Sequence, residues 1–526
     1  MQLKDHDLRQ LDADRLRQLG QRQPAALVEL SVRLLDDLKE ARERLNQNPD
    51  NSSVPPSSRP PWSRNEPPPA ETADPEPSPE AASPEDPAAP EQKSSRKKRA
   101  SPSRPPGKQK GAPGHARTQV LAVTHTADHY PDHCALCAAD LPHEHGVCYT
   151  GYQDADVTFG EPDHPALGVV STEHRFYATT CPDCGHVTRC EPYRAPPTAG
   201  DPSTPGLRAG VAIAEWRLIG PALAALLVWL HFRMYLSVRR CQEFSGELLG
   251  LSLSIGAISQ AIHEAAHACE PIPQRIQQEI LQSELLHADE TPHYQAGEFL
   301  WLWVIASANA ALFFIGRRTK ELLRGHIGAE FAGWLMADGY GAYREYRYRL
   351  RCWAHLIRKA RALAETFTPH VQGYGVALLE TFDFLIDKVY QAREGPPQDL
   401  RPLLAENLAR LHALCEKMRR SQNVKASQLG GEFLNDWNAI FQVLAHPQLP
   451  LTNNYAERLL RHWVILRRIG YGTRTEQGSL ALATFASLIE TCRLRNASPL
   501  RYLHQVIAAR RTGLEAPPLP PVPMAA

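Results

Sequence analysis

Residues 283–338 read SELLHADETPHYQAGEFLWLWVIASANAALFFIGRRTKELLRGHIGAEFAGWLMAD. Four short apolar runs rich in β-formers, SELLHA, FLWLWVIAS, ALFFIG and GWLMA, stand in this stretch with turn residues such as Asn309 between them, which predicts a set of strands rather than one long helix. Asp289 closes the first run and Asp338 the last, so both are expected at strand ends. From Cys352 onward the pattern turns helical, broken at Pro396 and Pro397 and again between Pro447 and Pro450. A last helical region runs from Asn454 towards Arg511, and Glu457 sits at its start in NNYAERLLR.

Two strand-borne aspartates and one helix-borne glutamate are the residue types that hold a pair of magnesium (or manganese) ions about 3.5–4 Å apart. Such ions want hard carboxylate oxygens. The pair serves to activate a water or a 3′-hydroxyl and to stabilise the leaving oxygen of a phosphodiester. Taken singly, an aspartate at a strand end is more often a turn former or a helix cap. Only the order and the matching neighbourhoods single out Asp289, Asp338 and Glu457. Glu290, next in the strand, should point to the opposite face as a surface or core-polar residue. Asn453 and Asn454 are candidate caps of the Glu457 helix.

Upstream lies a Cys/His-rich stretch. Cys134-x-x-Cys137 and Cys181-x-x-Cys184 are two tight turns that can each offer two thiolates to one tetrahedral zinc. His133, Cys148, His186 and Cys190 lie near enough to leave a mixed ligand set open, and redox-active or simply buried thiols are the rival readings. Between this module and the strands, residues 238–249 and 254–266 read as two helices joined at Gly250, with Ser254 as N-cap. This is the outline of a helix-turn-helix, although the second helix is short of Arg and Lys and an ordinary helical hairpin looks the same.

Further upstream, residues 48–118 are dense in proline, first acidic (PEPSPEAASPEDPAAPE) and then basic, a composition that predicts a disordered linker. Arg96, Lys97, Lys98 and Arg99 form its basic knot, suited to phosphate contact or to solubility alone. Residues 1–47 read as helix, with Leu27, Leu34, Leu38, Ala41 and Leu45 on alternating three- and four-residue steps once Ser31 fills the one polar slot. They suit either a short coiled-coil seam or a helix packed on the body.

The 526 residues suffice for several domains, and 58 basic against 58 acidic side chains leave no net charge to argue for or against a polyanionic partner. The longest apolar run, residues 221–230, is too short to span a bilayer, and the charged start MQLKDHDLRQ has no apolar signal core. Both features predict a cytoplasmic protein that does not engage membrane. The 11 cysteines, with only four in paired motifs, fit a reducing compartment better than a disulfide framework.

HADETP, MADGYGAY, CWAH and NNYAERLLR together resemble the DDE transposases of the insertion-sequence sixty-six family. So do QNPDNSSVPPSS, GAPGH, STEHRFYATTCPDCG and SLIETCRLRNASPLRYL, in the same order along nearly the whole chain. The resemblance implies a multidomain α/β protein with an RNase H-like catalytic core over residues 281–485 carrying a helical insertion at 366–450. Ahead of the core it places an N-terminal helix (1–47), a linker (48–118), a zinc-finger module (119–200) and a helical region (201–280); a C-terminal segment (486–526) follows it. It implies Asp289, Asp338 and Glu457 as the metal-binding triad, structural zinc on the four paired cysteines, and phosphate contact by His355, Arg358, Arg458 and Arg461. It also implies double-stranded DNA, terminal inverted repeats and target, as substrate, with assembly into at least a dimer on DNA and small companion proteins as partners. Two rivals stand beside it: a catalytically silent, zinc-stabilised DNA-binding protein, and an RNase H-like nuclease without strand transfer. Two departures from the family pattern are Ala138 where a glycine usually follows the first knuckle, and a diverged RHWVILRRIGYGTRTEQGS after Glu457.

Overall fold

The computed structural model describes residues 13–45, 119–161, 163–194, 210–213 and 218–523. The basic knot Arg96, Lys97, Lys98 and Arg99, with the whole of the predicted linker (48–118), lies outside the described residues. Near the N-terminus the expected single helix is two, α1 (Ala13–Arg22) and α2 (Pro24–Leu45). Pro24 has no N–H to continue the first helix but is well suited to open the second. Along α2, Val28, Val32, Leu35 and Leu38 are exposed, while Leu27, Leu34 and Ala41 of the heptad pattern are half-buried.

The Cys-rich module is a sheet of β1 (His125–His129), β2 (Gly146–Gly160), β3 (Pro165–Thr180) and β4 (Val187–Arg189). β2 and β3 form a long antiparallel hairpin, β1 joins β3 in parallel, and β4 pairs with the end of β3. A two-stranded parallel pair, β5 (Glu191–Arg194) and β6 (Gly210–Ile213), follows. The side chain of Asp156 on β2 accepts hydrogen bonds from its neighbour Val157 N at 2.9 Å and from Leu223 N at 2.6 Å. It thereby caps α3 (Pro221–Val228), whose own N-cap residue is Gly220. This ties the module to the helices behind it.

The apolar run at 221–230 folds as α3 continued by one π-helical turn at Trp229–Arg233, and most of it is buried in the main core. No helix among the described residues is long and apolar enough to cross a membrane. The two helices expected around Gly250 are α4 (Val238–Leu249) and α5 (Ile255–Ala268). Gly250 ends α4 in the left-handed region at φ 65°, and the Ser254 side chain accepts from Ala257 N. Helix α5 buries Ile258, Ala261, Ile262, Ala265 and Ala268 against its neighbours. With α6 (Pro271–Ile280) it backs the central sheet's side of the molecule.

The central sheet has the order β11-β10-β7-β8-β9. Its strands are β7 (Leu285–Gln295), β8 (Glu298–Ala306), β9 (Ala311–Gly316), β10 (Trp334–Ala337) and β11 (Arg349–Arg351), with α7 (Lys320–Ile327) crossing between β9 and β10. The first three form an antiparallel meander. The β7–β8 turn places Ala296 at φ 50° and Gly297 at φ 91°, the pair of positive angles that a two-residue hairpin turn demands. β10 then returns parallel to β7, and β11 parallel to β10.

A free edge at β9 would offer unpaired N–H groups to any passing strand. Here the hydroxyls of Ser487 and Thr491 accept from Phe313 N at 2.8 Å and Ala311 N at 3.1 Å. Both belong to the helix Glu476–Leu494, which packs on β9 and runs straight through residue 485. The C-terminal segment is therefore part of the main core, not an appendage.

The expected insertion is α9 (Pro369–Arg393), α10 (Ala405–Arg419), α11 (Val424–Asn435) and α12 (Trp437–Ala445), which share a second apolar core with the preceding α8 (Trp353–Ala364). That core begins earlier than the sequence suggests, because Trp353 is fully buried in it and its indole N–H donates to Ile440 O at 2.8 Å. The chain returns to the sheet as α13 (Asn454–Gly470), then α14 (Glu476–Leu494) and α15 (Pro499–Arg511). Trp463 of α13 meets Phe313 of β9 at 5.8 Å between ring centroids, and α13 packs on β7 and β8.

Candidate metal centres and carboxylate site

Cys134, Cys137, Cys181 and Cys184 bring their sulfurs within 4.8 Å of one another, and neither His133, Cys148, His186 nor Cys190 joins the set. Each pair is held by the same backbone turn. Ala138 N donates to Cys134 O and Cys134 N to Ala139 O; Gly185 N donates to Cys181 O and Cys181 N to His186 O. The residue after each second cysteine is left-handed, Gly185 at φ 72° and Ala138 at φ 60°. The second knuckle has the residue this geometry favours; the first forces a Cβ into it at about 1–2 kcal/mol. Ala138→Gly is therefore expected to stabilise the metal-loaded module by about 1 kcal/mol, read as a higher thermal midpoint. An unchanged or lower midpoint would mean that the turn tolerates its alanine without strain.

The sequence reading put Asp289 at a strand end. It lies instead within β7, because the hairpin with β8 carries the strand on to Gln295. The parallel partner is what ends there. β10 pairs Met336 with His287 and stops at Ala337, so Asp338 leaves the sheet level with Asp289 on the next strand. Asp338 then turns back on itself, its Oδ1 accepting from Tyr340 N at 2.8 Å. Glu457 approaches from the first turn of α13. Burial, with the neighbouring charges of Glu290, Asp338 and Glu457, holds the Asp289 carboxyl well above the usual carboxylate range. Among these acidic groups Glu290 is paired with Arg318, and Glu457 faces Arg358 and His355.

Asn453, the residue before α13, does not cap the helix with its side chain. Its carboxamide bridges to β7 instead: Nδ2 donates to Ala288 O at 2.8 Å and Oδ1 faces His287 Nδ1 at 3.1 Å. Its own N–H donates to the Cys352 sulfur at 3.2 Å. A fully buried amide therefore pins the start of the Glu457 helix beside Asp289. Asn453→Ala should cost about 2 kcal/mol, since it strands buried partners on β7. Chemical denaturation checks this, and a loss below about 0.5 kcal/mol would mean that the clamp is not needed.

Glu290 points away from Asp289, as alternation along the strand requires. Its side chain is buried, accepting from Arg318 Nε at 2.8 Å and Tyr343 OH at 2.5 Å. Burial and the Asp338 charge push it up to about 7 in spite of these donors. Arg318 lies between the rings of Trp301 and Tyr340 and reaches to 4.0 Å from Asp338 Oδ2. The sequence reading missed Arg318: it follows β9 in a turn, and no spacing connects it with either acidic residue.

His355 and Arg358, assigned to phosphate in the sequence reading, face Glu457 from α8. His355 Nε2 is 3.8 Å and Arg358 Nη2 3.6 Å from Glu457 Oε1. Burial and the cations Arg358, Arg351 and Lys359 push His355 down to about 3, so its ring is neutral at ordinary pH. Arg458 and Arg461 are exposed on α13.

The model of the Transposase IS66 family matches residues 217–481, just over half of the chain, and the match contains Asp289, Asp338 and Glu457. Among curated proteins, the chain is similar to "Uncharacterized protein y4qI" of Sinorhizobium fredii (strain NBRC 101917 / NGR234), 24% identical over 304 residues, 51% of this chain and 55% of that one. It is also similar to "Uncharacterized protein y4hP" of the same organism, 23% identical over 329 residues, 55% of this chain and 59% of that one. The chain thus spans little more than half the length of these relatives. The family match across residues 217–481, just over half of the chain, places this chain in the Transposase IS66 family.

Proposed function

We propose that this protein cleaves and joins DNA at the ends of a mobile element, with Asp289, Asp338 and Glu457 as its catalytic carboxylates. The observation that carries the reading is that Asp338 leaves the sheet level with Asp289 while the Glu457 helix packs on β7. Burial, then the charges of Glu290, Asp338 and Glu457, raise the Asp289 carboxyl, which bound divalent cations would relieve. The sheet supports it too: three antiparallel strands followed by two parallel ones, in the order β9-β8-β7-β10-β11, is the arrangement expected of an RNase H-like core.

The donor set suits magnesium or manganese. Asp289, Asp338 and Glu457 would hold the ions, and Glu457 Oε1 is buried without a hydrogen-bond partner. When bound, the ions supply a nucleophile at neutral pH and charge stabilisation at the leaving oxygen. The chain's own residues do the positioning. Asn453 fixes the α13 carboxylate against β7, and the Glu290–Arg318–Tyr343 cluster holds the turn that carries Asp338. Arg318 also offers a cation beside that turn for a DNA phosphate. The four paired cysteines are read as a structural zinc site, and α2 as a pairing helix between copies.

The test is a DNA duplex bearing the element's terminal repeats, incubated with magnesium and the full chain, with any companion proteins of the element added. Nicked 3′ ends together with products joined to a target duplex support the proposal. Nicking without joining would favour a nuclease, and binding without either would favour a silent DNA-binding protein.

A further inference from the structure

We propose that Cys352, His355 and Glu457 form a binding site for a thiophilic divalent cation of the zinc class, distinct from the Cys134 knuckle. Among the described residues, two sets place three or more ligand atoms within 4.8 Å of one another, and this is the second. It joins the N-cap residue of α8, a residue one turn along α8, and the first turn of α13.

Two observations point to a ligand. Glu457 Oε1 is buried and without a hydrogen-bond partner, whereas buried polar atoms are as a rule satisfied. The spacing is also that of groups sharing an ion, not of groups bonded to each other. His355 Nε2 lies 3.8 Å from Glu457 Oε1, too long for a hydrogen bond. It is close to the roughly 3.3–3.8 Å between ligands of a tetrahedral ion with bonds of about 2.0–2.3 Å.

The chemistry of the donors selects the metal. A thiol and an imidazole are poor ligands for magnesium and good ones for zinc, cobalt or iron. Cys352 is fully buried, and its sulfur accepts the Asn453 N–H at 3.2 Å. Three protein ligands leave a fourth position, and the partial exposure of His355 and Glu457 gives water access to it. Arg358 stands 3.6 Å from the same Glu457 oxygen, but its Nε is engaged with Ala354 O at 3.3 Å.

Because Glu457 belongs to both sets, a soft ion here would take a carboxylate from the magnesium pair, so zinc would act as a brake on cleavage. The site itself does not depend on the cleavage reading. The test is the cobalt content of the full-length chain, stripped with chelator, reloaded with Co2+ alone and passed through a desalting column. Two equivalents per chain are expected for wild type and one for Cys352→Ser and for His355→Ala, with circular dichroism confirming that each is folded. The near-ultraviolet spectrum of the lost equivalent should contain a thiolate-to-cobalt charge-transfer band that Cys352→Ser removes. A single equivalent in the wild type, or two retained in both variants, would overturn the proposal. No DNA or magnesium enters this count, so its failure would leave the proposed cleavage standing.

Discussion

Asp289→Asn is expected to slow magnesium-dependent strand cleavage about a thousandfold while raising the thermal midpoint of the metal-free protein. The rate effect follows from the position. On the proposed assignment Asp289 would ligate both ions, so its loss would weaken both at once. Metal-ion stabilisation of the transition state is worth several kcal/mol, and about 4 kcal/mol corresponds to roughly a thousandfold in rate. The stability effect has the opposite sign. A carboxyl whose folded pKa is raised binds more protons when folded than when unfolded, so stability falls as pH rises from its unfolded value, near 3.9, towards the folded one. At neutral pH the charged form is a strain that the neutral amide removes. Single-turnover cleavage and thermal melts in chelator check the two effects. Wild-type cleavage, or a lower melting point, would mean that Asp289 is an ordinary core residue.

Asp436→Ala is expected to destabilise the chain by about 3–5 kcal/mol, the usual cost of breaking a buried ion pair from one side. Asp436 sits at the junction of α11 and α12 with no side-chain exposure. It accepts from Arg344 Nε at 3.0 Å and Arg349 Nη2 at 2.7 Å, and Arg351 Nε lies 3.4 Å away. Glu432, one turn earlier, takes Arg351 and Lys359. Two carboxylates of the insertion thus neutralise arginines rooted in β11 and the turn before it. Without Asp436, Arg349 and Arg351 would remain buried with too little counter-charge. Burial alone would raise the Asp436 carboxyl; the Arg349 and Arg344 hydrogen bonds and the Arg351 charge override it and hold it below the usual range. Its contribution is therefore complete above the unfolded carboxyl value, near 3.9, and disappears as pH falls through the lower folded value. Urea denaturation of wild type and variant should diverge most at neutral pH and converge in acid. Equal midpoints at pH 7 would mean that the arginines find other partners.

The strands around Asp289 and Asp338 were legible because each is a short apolar run closed by turn formers, and such runs have few alternatives. The four-cysteine site was legible because a C-x-x-C turn is a local structure. Asp289's place within a strand was not, since only the antiparallel partner β8 extends β7 past it, and pairing is not written in one strand alone. Asn453 looked like a cap because asparagine before a helix usually is one. Its side chain turned to β7 because buried acceptors there needed a donor. His355 and Arg358 looked like phosphate contacts because a basic helix gives no sign of what it faces. The partner, Glu457, lies about a hundred residues away across the whole insertion. Arg318 left no sequence signal at all, since its contacts arise from the crossover between β9 and β10.

The most direct measurement is anomalous X-ray scattering from manganese in crystals of the full chain bound to a DNA end. Two manganese peaks about 3.5–4 Å apart, bracketed by Asp289, Asp338 and Glu457 and next to a DNA phosphate, are the result expected here. Manganese absent from these carboxylates, in crystals grown under conditions where cleavage proceeds in solution, would contradict the assignment of the catalytic site.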